Sequence, residues 1–406
     1  MQTNPTQDWY TPEFFEDPYP YYRALRETEP VFWSTDLNGW VITSYEHANA
    51  ILRRHDVFSS AGRMAALLDT LPEAERAKFQ PIYDHFAVGL IRSDPPDHMR
   101  LRRLISAVFT PRVIEKSRGQ IKQIVDNLVA EFPAGGSLDL VSAFAFPLPA
   151  TVVCSILGVA ADDIHRVRDW TQGINSIIAG NLPLHEAALR MQESLIELQG
   201  YYLDMIAERR ASPCDDLMSL LVQAELEGDR LTEAELLSTA ENLLAAGHET
   251  TSSLIGSAMW TFLNRPDDLK KLRDEPSLLP DAIEEVLRFE SPLQRQTRVV
   301  KAETEIAGKL MKPGQLVYVM IGAANRDPDV FPDPDRFDMT RSGEKHIAFG
   351  IGIHFCIGAP LARMESHLAL GTLLERFPRM QILNDSIEWV PSAALRAPGK
   401  LQVELT

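Results

Sequence analysis

Residues 349–360 read FGIGIHFCIGAP, with three glycines, one histidine and one cysteine in twelve positions. Glycines at 350, 352 and 358 exclude a strand, and a helix can begin only after them. The following IGAPLARMESHLALGTLLERF has helical spacing, with Pro360 near its first turn. Cys356 therefore stands at a helix N-terminus, where orphan amides and the helix dipole favour thiolate and a depressed pKa is expected. That describes a nucleophile or a metal ligand. The other cysteines, Cys154 and Cys214, lie far off in an apolar stretch and a polar turn. An odd number at wide spacing gives no disulfide framework, and no His/Cys cluster has zinc spacing.

A thiolate that is the sole protein ligand suits an iron whose in-plane positions are filled by a macrocycle. A flexible loop around an inert cysteine is an equally open reading of this stretch alone. The rest of the chain bears on the choice. The longest helical pattern spans 232–264. Thr232 and Glu235 form a capping box at its start and Pro266 stops it, for a length of about 50 Å. Its apolar middle predicts a central, mostly buried helix. AAGHETT (245–251) interrupts that middle with an acid and a hydroxyl, and Gly247 weakens the helix locally. Thr250 can bond the carbonyl of Ala246 and open a groove, so that Glu249 and Thr250 suit a proton relay. A solvent-facing Glu–Thr pair is the competing reading.

Glu285 and Arg288 in EEVLRFESP lie three apart on a helix, and Arg336 in FPDPDRFD can brace them. Such pairs are common and contribute tenths of a kcal/mol. His98, Arg102, Arg298 and His354 recur near candidate pocket elements and suit a dianionic ligand. Taken singly, each reads better as ordinary surface charge.

The remaining pattern is mainly α with small β-sheets. Helices are expected over 17–28, 45–54, 97–131, 162–178 and 184–211. Strands are expected over 30–44 around an Asn-Gly turn, and at 297–308, 316–321 and 381–404. Residues 59–96 read as irregular with short helices, a long segment of the kind that is usually functional. No linker divides the 406 residues, so 1–406 is expected to be a single domain. The hydrophobic fraction is 45% and the charged fraction 24%, an ordinary globular balance. A net charge of −17 argues against nucleic acid. No apolar run reaches membrane length and no basic-then-apolar start is present, so a soluble cytoplasmic protein without a membrane anchor is expected.

Taken together, these pieces resemble the cytochrome P450 superfamily of haem-thiolate monooxygenases, over essentially the whole chain. FGIGIHFCIG matches the family's F-G-x-G-x-H-x-C-x-G loop at every position. AGHETT matches A-G-x-[DE]-T-[TS], Glu285 and Arg288 match E-x-x-R, and Arg336 matches the third member of that triad. The resemblance implies a haem b held by Cys356 as proximal thiolate. His98, Arg102, Arg298 and His354 would take its propionates, and Phe349, Gly350, Gly358 and Ala246 would line it. Glu249 and Thr250 would deliver protons to bound dioxygen, and Glu285, Arg288 and Arg336 would brace the loop. The chain carries no flavin or iron–sulfur motif, so electrons would come from a separate ferredoxin or flavodoxin with its reductase. Arg100, Arg103, Lys345 and Arg363 would attract that partner. By the family's pattern, Phe86, Val88, Leu90, Ile178, Asn242, Ala245, Ala246, Leu293 and Ala393 would form a pocket for a small hydrophobic substrate, with Asn242 as a polar anchor. Terpenoid, steroid, fatty-acid, aromatic and polyketide substrates all remain open, and a monomer is expected. The competing readings are a peroxygenase or reductase without a protein partner and a non-catalytic haem sensor.

Overall fold

The computed structural model describes residues 9–383 and 387–405. Residues 384–386 of the last strand-like segment lie outside them. Helices dominate and the sheets are small. The central helix, Glu233–Leu263, is 31 residues long, about 47 Å. Its capping box is present: Thr232 Oγ1 accepts from the Glu235 amide at 3.3 Å, and Glu235 Oε2 accepts from the Thr232 amide at 2.8 Å. From Thr251 to Met259 every residue is buried, because helices Pro147–Leu157, Leu279–Phe289 and Ala359–Arg376 pack around it.

Beside this helical body lies a five-stranded sheet in the order Val31–Ser34, Gly39–Ile42, Leu316–Met320, Arg295–Val300, Phe58–Ser59. Only the pairing of Leu316–Met320 with Gly39–Ile42 is parallel. Trp9, Phe14, Tyr22 and Phe32 pack on one face of the sheet, and Ile51, Phe58 and Phe331 belong to a second cluster.

Two expected helical segments are divided. The 97–131 segment breaks into Asp97–Val108 and Pro111–Ala130, because Thr110 precedes proline, is extended, and caps the second helix. The 162–178 segment becomes Ile164–Ile174 and Ser176–Ala179, separated at Asn175. The 297–308 stretch is the end of one strand, Arg295–Val300, followed by a hairpin arm, Thr304–Ile306, paired with Lys309–Met311. Segment 59–96 holds the short helices Arg63–Leu68, Glu73–Arg76 and Gln80–Phe86.

Candidate functional site

The cysteine loop is wound by its own backbone. Gly350 donates to Ile347 O at 2.8 Å, Phe355 to Gly352 O at 3.1 Å and Cys356 to Phe349 O at 2.9 Å. Gly350 and Gly352 sit at φ +73° and +74°, where a side chain is strained. A Cβ on Gly352 would also lie 3.0 Å from Leu52 O. The amides of Gly358 and Ala359 donate to the Cys356 sulfur, and the guanidiniums of Arg102 and Arg363 lie near it. Burial outweighs all of these, so the thiol is pushed above its ordinary value. This corrects the depressed pKa expected from the helix terminus alone. A sulfur so enclosed becomes thiolate only beside a further cation, as a metal provides.

His98 and His354 meet with ring centroids 4.3 Å apart. Both nitrogens of His98 and Nε2 of His354 are buried with no hydrogen-bond partner. Arg298 is 3% exposed and bonds only neutral acceptors, Thr297 O at 2.9 Å and Gln296 Oε1 at 3.2 Å. Arg102 donates to Phe355 O at 2.7 Å. Arg63, which the sequence motifs did not single out, donates to Ser60 O and Ile91 O and bears on the same group. Burial pushes His354 down to about 2, His98 to about 4, Arg63 to about 9 and Arg298 to about 10, and neighbouring cations add to the fall in His354, His98 and Arg63. Asp94 is the carboxylate that opposes the shifts of His98, Arg63 and Arg298, and it also accepts from Ser59 Oγ, the Ser60 amide and Lys301. A cation cluster with orphaned buried donors fits a dianionic group, and a haem with two propionates meets that demand while its iron meets the demand of the sulfur.

On the central helix Ala246 is exposed although Leu244 and Ala245 before it are buried, so this face borders an interior space. Thr250 Oγ1 donates to Ala246 O at 2.5 Å, the back-bond expected from the sequence. Burial raises Glu249 to about 7, and Asn175 Nδ2, donating to Oε2 at 2.7 Å, offsets part of the rise. Asn175 was missed by sequence reasoning, and its only signal was an asparagine inside a helical pattern. The chain breaks there, which frees the amide to cross to Glu249. His248 points away against Phe146 and is pushed by burial down to about 4.

Beneath the cysteine loop, Arg288 donates to both oxygens of Glu285 at 2.8 Å and to Asn325 O at 3.0 Å. Asn325 Oδ1 accepts from the Ile347 amide at 2.8 Å, which carries the brace into the loop. The expected third member is corrected. The Arg336 side chain is 71% exposed and reaches only Asp338 at 3.8 Å, while its carbonyl accepts from Arg288. Arg341 fills the place instead, donating to Glu285 Oε1 at 3.1 Å. The turn after Phe337 explains the exchange, because Asp338 N bonds the same Oε1 and leads Arg341 back.

The expected pocket residues are only partly drawn together. Phe86 packs with Phe79, Ile82 and Met191, and Leu90 with Leu101 and Leu104, so both serve core clusters. Val88, Asn242 and Leu293 are half-buried and Ala245 is buried. Ile178 is 39% exposed. The Ala393 amide bonds Ala179 O at 3.4 Å, joining the late turn to the 170–190 loop. Of the expected basic patch, Arg100 pairs with Asp229 and Glu235, Arg103 with Glu227 and Arg363 with both oxygens of Glu284, and Lys345 is exposed. Among the described residues no helix is long and apolar enough to cross a membrane.

A helical body with a cysteine loop against a cation cluster, and an acid–alcohol pair on the central helix, defines a haem-thiolate protein. The family model described as Cytochrome P450 matches residues 40–403, and the chain belongs to the cytochrome P450 family. It is 42% identical to Cytochrome P450 107B1 of Saccharopolyspora erythraea, over 96% of this chain and 95% of that one. It is 38% identical to the same organism's 6-deoxyerythronolide B hydroxylase, covering 98% of each. Among solved structures it resembles P450BioI in complex with an acyl-ligated Acyl Carrier Protein, with TM-score 0.89 and 34% identity over 97% of this chain and 99% of that one. The protein is thus a P450 monooxygenase, an oxidoreductase that acts on small molecules with haem b on an axial cysteine thiolate.

Proposed function

We propose that Cys356 is the thiolate ligand of a haem b whose propionates lie on His98, Arg102, Arg298 and His354, with Arg63 adding to them. Phe349, Gly350 and Gly358 line its proximal side and Ala246 its distal side. The observation that carries this reading is the pair of partnerless buried histidines set among Arg63, Arg102 and Arg298, near a sulfur that two amides point at. When bound, the haem supplies dioxygen activation and inserts one oxygen atom into substrate, using two external electrons. Glu249 changes protonation near neutral pH, so it can take a proton from solvent and pass it toward Thr250. Asn175 holds Glu249 in place for that transfer. Thr250 keeps its own hydrogen on Ala246 O and leaves its lone pairs to accept from the distal space.

The whole chain acts as one haem domain, a cytoplasmic monomer fed by a separate ferredoxin or flavodoxin with its reductase. The substrate is a small, largely apolar molecule bound between Ala245, Ala246, Leu293 and Asn242. Three apolar side chains with one amide among them support this class. A reduced, CO-bound spectrum tests the haem assignment. A strongly red-shifted Soret band is expected, and a band at the position of histidine-ligated haem would overturn the reading. Thr250→Ala should uncouple electron consumption from product, and unchanged coupling would remove Thr250 from the relay.

A further inference from the structure

The 80–93 segment is fastened to the central helix by buried charge. Arg92 Nη2 donates to Glu241 Oε2 at 2.7 Å, and Nη1 donates to Ser238 Oγ at 3.0 Å. Gln199 Nε2, on helix Leu184–Ala211, donates to His85 Nδ1 at 3.0 Å. Nδ1 is therefore the acceptor, and Nε2 carries the hydrogen given to Glu241 Oε2 at 3.2 Å. Ser238 Oγ closes the set by donating to Val88 O at 3.1 Å. His85, Arg92 and Glu241 are all buried, and the Arg92 guanidinium stacks on Phe86, 3.9 Å from its centroid.

The seat is tight as well as polar. A Cβ on Gly89 would lie 2.0 Å from Ser238 Oγ, at a φ of +113° that disfavours side chains. Apolar side chains would hold two elements together at least as well as a buried ion pair does. What charge adds is a single allowed geometry that either holds or is fully lost. The fastened elements reach the distal face through Ser238, whose Oγ accepts from Asn242 Nδ2 at 3.5 Å, because Asn242 lies one helical turn before Ala246 and shares its face.

We propose that the Arg92–Glu241–His85 cluster is a latch that holds the 80–93 segment against the central helix beside the assigned distal site. Arg92 and Glu241 are thereby specificity-determining residues, which admit molecules whose contacts inside offset its release. The proposal rests on the distal site assigned above, and its test separates the two.

The test uses haem-loaded protein and two variants. Glu241→Gln removes the charge, and Arg92→Met with Glu241→Leu removes both charges and leaves no buried ion unpaired. Association of imidazole with the ferric haem is followed by stopped flow, and amide exchange is followed over residues 82–92. Both rates are expected to rise by about tenfold in both variants, with exchange in 251–262 unchanged. Wild-type rates in the folded variants would overturn the latch. So would exchange that rises evenly along the chain, since that marks general destabilisation. An abnormal CO spectrum would instead strike the haem-thiolate assignment, and exchange over 82–92 would still decide the latch.

Discussion

Glu249 is the residue on which the proposed proton supply and stability meet. Its carboxyl is raised from an ordinary 4.5 to about 7 by burial. Between those values the unfolded chain ionises and the folded chain does not, so stability falls as pH rises from about 4.5 to 7. Glu249→Gln lacks that loss. The variant is expected to gain up to about 3 kcal/mol on wild type between pH 4.5 and 8, read as thermal midpoints at the two pH values. Its turnover should fall steeply, because the amide has no proton to exchange. Asn175→Ala removes the hydrogen bond that steadies the carboxylate. The acidic limb of the kcat–pH profile should then move upward, and a limb that stays in place would show that Asn175 does not act on Glu249. The acid itself was legible in the sequence, as a charge inside an apolar helix. Its partner was not, because helical periodicity says nothing of which amide crosses from another helix.

Between elements, the brace under the cysteine loop makes the sharpest distinction. Arg341 is largely buried against Glu285, whereas the Arg336 guanidinium stands in solvent. Arg341→Ala leaves Glu285 short of a partner and is expected to cost about 1–3 kcal/mol. Arg336→Ala is expected to stay within about 0.5 kcal/mol. Denaturant unfolding and the rate of haem loss measure both, and equal effects would contradict the assignment. The sequence placed Glu285 and Arg288 three apart on a helix. The resemblance named Arg336 and not Arg341, because the exchange is made by a turn whose bonds run to a distant helix. The broken helices at Thr110 and Asn175 carry the same lesson. Proline marked the first in the sequence, and only an asparagine inside a helical pattern marked the second.

For the whole molecule, the cation cluster predicts a dependence on its missing charge. Without haem, His98, His354, Arg63, Arg102 and Arg298 face one another with Asp94 as counter-charge. Adding phosphate should raise the thermal midpoint of apoprotein, because an anion that binds the folded state stabilises it by mass action. The midpoint of holoprotein should scarcely move, since its propionates already fill the place. Equal shifts in both forms would argue against the assigned propionate site.

By itself, the sequence determined the helical class, the capped central helix, the cysteine loop and the pair Glu249–Thr250, since each rests on local spacing, glycine freedom or helix-end chemistry. It also suggested His98, Arg102, Arg298 and His354, though as charges without a common place. Only the tertiary structure decided that they converge with Arg63, that Arg341 takes the brace, that burial raises the Cys356 thiol, and that Arg92, His85 and Glu241 lock a surface segment to the core. The physical reason is range. Backbone preferences act over a few residues and leave a mark in the sequence. Desolvation and ion pairing depend on which distant groups share a low-dielectric space, and the folded chain alone sets that.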